Sequence, residues 1–144
     1  MTVNSSHAHS CRKNMSPSRN GLFQSIGGKS MVIKASNMEK QVRSELKGGN
    51  GNIHFLNCVN KDTIPNCRLL AFMTIPPSCS IGEHEHVKET ECYIIRSGEG
   101  VIIDNGEECQ VTAGDVVLTR NVDKHSVLNK GNEPLEILAF IVMN

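Results

Sequence analysis

The chain has 144 residues, with 15 Lys plus Arg against 15 Asp plus Glu, six His, six Cys, four Phe, one Tyr and no Trp. That length supports one domain able to bury about two-thirds of its unfolded surface. The zero net charge and the scarcity of aromatics argue against a nucleic-acid binder, and no run of about 18 apolar residues offers a membrane-spanning helix.

Charge is unevenly spread. Residues 1–30 hold four basic groups and no acidic one, whereas residues 31–144 hold 11 basic and 15 acidic, a net of −4. The first 30 residues are rich in Ser, Asn and Gly and lack apolar periodicity, which reads as a disordered extension. Their Arg and Ser content without acids also fits a transit peptide, and Met31, where the chain becomes domain-like, is an alternative start; no secretory apolar core is present. Residues 31–144 are read as a single domain. His7-Ala8-His9 has no strand pattern or carboxylate beside it and is not assigned as a ligand pair. Cys11, Cys58, Cys67, Cys79, Cys92 and Cys109 form no CxxC pair and are read as reduced thiols of a cytoplasmic protein.

Residues 36–47 read as a short helix. Ser36 or Asn37 can cap it, Glu39 sits in its first turn, and Gly48-Gly49 ends it. Met38, Val42 and Leu46 recur every four residues, and Glu39 and Arg43 form an i,i+4 pair. Strand patterns then follow at 53–58, 68–75, 79–86, 90–96, 101–104, 107–112, 116–119, 124–129 and 134–143. Pro76-Pro77 ends the second of these, and Asn105-Gly106 marks a two-residue hairpin. The last run is apolar on both faces, so a partner subunit is expected to cover its outer side and the protein to be a homodimer. About eight or nine short strands with turns every eight to twelve residues indicate an all-β sandwich or barrel.

The chemistry concentrates in His84-Glu85-His86 and the residues just after it. Side chains alternate along a strand, so His84 and His86 share a face with Cα atoms roughly 7 Å apart, close enough to converge on one ion. Glu89 and Glu91 come next with equal parity, and His125 is the other histidine beside an apolar strand. Three imidazoles and a carboxylate suit one divalent transition metal; Mn, Fe, Zn, Ni and Co are all compatible. Isolated His54 is read as structural or exposed. Tyr93, the only tyrosine, shares the face of Glu91 and is a candidate general acid/base, or else a wall residue. Cys79 and Cys92 fall on the opposite parity and are left out of the site.

The order His84, His86, Glu91, Gly98, then Gly114, Asp115, His125 and Asn129 resembles the two motifs of the cupin superfamily over roughly residues 66–144. Two positions depart from that pattern: the Pro-x-Gly of the second motif is Arg120 and Val122, and a first-motif glycine is Ser78. The resemblance implies a double-stranded β-helix, the cupin jelly-roll barrel, behind the short N-terminal helix. It implies His84, His86, Glu91 and His125 as metal ligands, with Glu91 chosen over Glu89 by its distance to Gly98, and it again implies a dimer. In some small cupins, such as the dimethylsulfoniopropionate lyases, a tyrosine at the place of Tyr93 serves as base.

A lone barrel of this kind is similar to bacterial proteins labelled mannose-6-phosphate isomerase-like. The implied function is a metalloenzyme acting on a sugar or small oxygenated acid by isomerase- or lyase-type chemistry. The alternatives are an Fe(II)-dependent cupin dioxygenase and a non-catalytic module that binds a small molecule.

Overall fold

The computed structural model describes residues 24–26 and 30–144. His7, His9, Cys11 and most of the segment expected to be disordered lie outside them. Within that segment, strand β1 (Gln24–Ile26) pairs antiparallel with β2 (Ser30–Val32).

No α-helix forms over 36–47. A 3-10 turn (Ala35–Asn37) leads into strand β3 (Glu39–Ser44), and a second 3-10 turn (Leu46–Gly48) follows. The physical reason lies in the spacing that suggested a helix. An interval of four is even, so Met38, Val42 and Leu46 share a face in a strand as well as in a helix. Tertiary pairing decides between the two. Strand β3 ladders in full register with β4 (Asn52–Asn57), from Glu39 opposite Asn57 to Ser44 opposite Asn52. Val42, on the supposed packing stripe, is in fact 55% exposed.

The other runs form strands within a residue or two of expectation. They are β5 (Cys67–Ile75), β6 (Ser80–Glu85), β7 (Glu89–Ser97), β8 (Glu99–Asp104), β9 (Glu107–Thr112), β10 (Val116–Thr119), β11 (Lys124–Leu128) and β12 (Leu135–Met143). They build a six-stranded sheet, β10-β7-β12-β5-β4-β3, and a four-stranded sheet, β6-β11-β8-β9. Alternation places Ala71, Met73, Ile75, Tyr93, Ile95, Leu135, Ile137 and Ala139 on the inner face of the first sheet. Ile81, Ile102, Val111 and Val127 come from the second, and all twelve belong to one buried core. Asn105 (φ +48) and Gly106 (φ +90) make the β8–β9 hairpin, both in the left-handed region that such a turn demands.

Several motif residues hold the frame. Gly98 turns at φ +79, and a Cβ there would collide with the Pro134 carbonyl. Asp115 accepts the Thr112 amide at 2.8 Å. Buried Asn129 donates its amide to the Ile75 and Glu133 carbonyls, each at 2.8 Å, and accepts from the Gly131 amide at 2.9 Å. These bonds tie the β11–β12 connection to the end of β5.

Both departures from the glycine pattern keep the left-handed backbone. Ser78 stands at φ +65 and Val122 at φ +66. For a β-branched residue that conformation is a genuine outlier, costing about 1–2 kcal/mol. Val122 is 63% exposed, so its side chain gives little packing in return, while its amide donates to the His86 carbonyl at 2.8 Å. Val122→Gly is therefore expected to stabilise the fold by about 1 kcal/mol, raising the thermal midpoint by roughly 2–6 °C. A circular-dichroism melt that stays level or falls would show that the turn carries no such strain.

Candidate metal centre

Strand pairing brings the four predicted ligands together from two sheets. In the four-stranded sheet, His125 on β11 lies directly opposite His84 on β6. In the six-stranded sheet, Glu91 on β7 lies opposite Thr119 on β10. His86 follows the end of β6 and turns back to the same point. The Glu91 carboxylate Oε2 is 3.0 Å from His86 Nε2, 3.0 Å from His125 Nε2 and 3.8 Å from His84 Nε2. The Nε2 atoms of His84 and His125 are 3.1 Å apart. One ligand atom from each residue lies within 4.8 Å of the other three. Ligands at bond lengths of about 2.1 Å sit about 3.0 Å apart when adjacent and about 4.2 Å apart when opposite, the range in which the separations of 3.0–3.8 Å fall.

The outer ring nitrogens explain why the inner ones converge. His84 Nδ1 donates to the Gly82 carbonyl at 2.9 Å. His125 Nδ1 bonds the Thr119 hydroxyl at 2.9 Å, and His86 Nδ1 meets Glu89 Oε2 at 3.3 Å. A neutral imidazole protonated at Nδ1 presents a bare lone pair at Nε2. Without an ion the Nε2 atoms share protons with the Glu91 carboxylate; turned to a cation as lone pairs, three imidazole nitrogens and a carboxylate oxygen fit a divalent transition metal.

Burial and charge agree with that reading. Burial pushes the Glu91 carboxyl up, but hydrogen bonds from His125, His84 and His86 outweigh it and hold the group far below the usual carboxylate range. The hydrogen bond to Glu91 raises His86, against its desolvation and with help from Glu89. The hydrogen bond from Arg68 lowers Glu89, whose Oε2 accepts Arg68 Nη2 at 2.8 Å. Arg68, Glu89 and His86 thus form a chain leading into the cluster. Gly82 contributes twice: its carbonyl orients His84, and a Cβ there would strike the Lys47 carbonyl, so only glycine lets the 46–48 turn lean on β6.

Tyr93 is 2% exposed, and its ring stacks on His125 with centroids 5.5 Å apart and planes 27° apart. Burial first, and then the neighbouring Glu91 carboxylate, push its phenol well above the ordinary tyrosine range. A cavity of about 580 Å³ opens beside the cluster, bordered by His84, His86, Glu91, Tyr93, Arg43 and Arg68.

The remaining candidates stand apart. His54 is exposed, and β4 pairing sets it beside Val42 on the outer sheet face. Glu85, between the two histidines, is exposed. Cys79 packs against the core from a half-buried position. None of the five described cysteines is in a disulfide. The sequence offered no sign of Thr119, Arg43 or Arg68 at the site, and Glu89 was passed over in favour of Glu91. Only Glu89 carried a signal, its shared parity with Glu91.

Comparison with known proteins agrees with the fold. Residues 71–141 match the model of the cupin domain family. The chain is 39% identical over 117 residues to an oxalate-binding protein of Thermotoga maritima, covering 81% of this chain and 97% of that protein. It also superposes on a crystal structure described as a predicted oxalate decarboxylase of Thermotoga maritima. There the TM-score is 0.75 and the identity 38%, over 79% of this chain and 100% of the other. A sugar phosphate isomerase of Silicibacter pomeroyi shares the fold at a TM-score of 0.66 and 14% identity, over 78% of this chain and 76% of that one. Two packed antiparallel sheets, a cluster of three histidines and a glutamate between them, and a full-length relative at this identity lead to one conclusion: the chain belongs to the cupin superfamily.

Proposed function

We propose that this protein binds one divalent transition metal through His84, His86, Glu91 and His125 and uses it to hold a small carboxylate of the oxalate class. The observation that carries the reading is the convergence of those four ligand atoms beside a cavity whose walls include Arg43 and Arg68. When bound, the ion would offer its open coordination positions to two oxygens of one ligand. The chain's own residues supply the rest. Positive side chains attract an anion, and Leu46, Phe55, Met73 and Ile81 give the cavity apolar walls. Tyr93, buried against His125 and Glu91, steadies both. The oxalate-binding relative supports this ligand class.

A metalloenzyme acting on the same small acids is the second reading, favoured by the relative described as a decarboxylase. Cleaving oxalate to formate and carbon dioxide consumes one proton. Tyr93, beside Glu91 and with a phenol that keeps its proton at neutral pH, is the group this reading assigns to supply it. The sugar-isomerase and Fe(II) dioxygenase readings have no observation of their own here beyond a fold-level likeness.

A homodimer through the outer face of the six-stranded sheet is part of the same proposal. Val42, Val116 and Leu118 there are 55%, 58% and 57% exposed, beside half-buried Phe72, Leu138 and Phe140. The free thiols support a reducing compartment, the cytoplasm.

The direct test is calorimetric titration of oxalate into protein loaded with Mn(II), repeated on metal-free protein, with formate assayed at the end. Saturable binding only in the loaded protein is expected, and formate release would select the enzymatic reading. Equal binding with and without metal, or none in either, would contradict the proposal.

A further inference from the structure

Of the two arginines on the cavity wall, Arg43 differs in kind. Arg68 is neutralised by a two-pronged pair with Glu89. Arg43 makes no ion pair among the described residues. Its guanidinium lies over the Phe55 ring at 4.2 Å from the centroid, and its Nε and Nη2 both donate to Gln41 Oε1, at 3.1 and 2.9 Å. Gln41 is a neutral acceptor, so these bonds orient the fork without cancelling its charge. Glu39, two residues beyond on the same strand face, attracts it only at a distance, and Arg68 repels it. The result is a cation held in one posture by a ring and an amide, with its remaining N–H groups available at a cavity that the metal ligands share.

Size points the same way. At about 30 Å³ for a water-sized group, the six heavy atoms of oxalate fill at most about 180 Å³. The cavity holds about 580 Å³. A ligand chelated at the cluster leaves space that a longer one could use, and the fixed guanidinium matches a carboxylate through two parallel hydrogen bonds.

We propose that Arg43 is the specificity-determining residue of this cavity, selecting ligands that carry a second carboxylate beyond the chelating pair of oxygens. The inference rests on the metal-and-carboxylate reading given above and adds the ligand's far end to it. In a helix over 36–47, Arg43 would be half of an i,i+4 ion pair. Its recognition role arises only because β3 forms as a strand and turns the residue onto Phe55.

Lactate and malate make a matched pair for the test. Both carry a 2-hydroxy-carboxylate head, and malate adds one carboxylate. With Mn(II)-loaded protein, malate is expected to bind at least about tenfold more tightly than lactate. Arg43→Gln should bring that ratio close to one while leaving metal content unchanged, with malate losing far more affinity than lactate or oxalate. Arg43→Lys, which keeps the charge and loses the fork, should retain part of the preference. A ratio preserved in Arg43→Gln, or no preference in the native protein, overturns the role of Arg43 while oxalate binding leaves the broader reading standing. Failure of all three acids to bind the loaded native protein overturns both.

Discussion

His86→Ala is expected to abolish the thermal stabilisation that Mn(II), Co(II) or Zn(II) gives the native protein. Binding to the folded state alone adds about 4 kcal/mol when free metal exceeds the dissociation constant about a thousandfold, or roughly 10–20 °C in a domain of this size. In the proposed site His86 supplies one of four ligand atoms. Its Nε2 stands 3.0 Å from Glu91 Oε2, and its Nδ1 is engaged by Glu89. Removing the ring leaves three candidate ligands, with Glu91 still bonded by His125. The residue follows β6 and contributes nothing to the apolar core, so the metal-free variant should fold as the native chain does. Equal metal-induced shifts in variant and native protein would remove His86 from the ligand set.

The second large effect concerns a residue that is not itself a proposed ligand. Thr119→Val should weaken metal binding about 10–100-fold while preserving shape. The Thr119 hydroxyl, itself 3% exposed, meets His125 Nδ1 at 2.9 Å and fixes which nitrogen faces the cluster. Valine fills the same space without a polar atom, leaving a buried ring nitrogen unpaired at a cost of about 1–3 kcal/mol. Competition against a chelating dye measures the affinity, and circular dichroism checks the fold. Leu118→Ala, on the exposed outer side of the same strand, serves as the comparison. An affinity for Thr119→Val within twofold of native would mean that packing alone, through neighbours such as Tyr93, orients His125.

The His84 and His86 part of the candidate cluster was legible because its signal is local, whereas the choice of Glu91 over Glu89 rested on the spacing of the cupin motif. Two histidines one residue apart declare a shared strand face, and Asn105-Gly106 declares its hairpin, whatever the rest of the chain does. Alternation also placed Cys92 away from Glu91, as its pairing opposite Leu118 and Phe140 bears out. The stretch at 39–44 was misread because its apolar spacing of four fits both periods, and the ladder to β4 that settles the matter is a tertiary fact. Thr119, Arg43 and Arg68 were invisible for a related reason. Each reaches the site from a strand whose register is set by partners far along the chain, and none carries a motif. Val122 shows the reverse case. It departs from the glycine of the family pattern, yet the turn keeps a glycine's conformation without the glycine.

One transition metal held by His84, His86, Glu91 and His125 is the central claim. Elemental analysis of untagged protein by plasma mass spectrometry, run beside His86→Ala, tests it most directly. The expected result is about one equivalent of a single divalent transition metal in the native protein, either as isolated or after anaerobic reconstitution, and its loss in the variant. No metal under either condition, or the same content in both proteins, would contradict it.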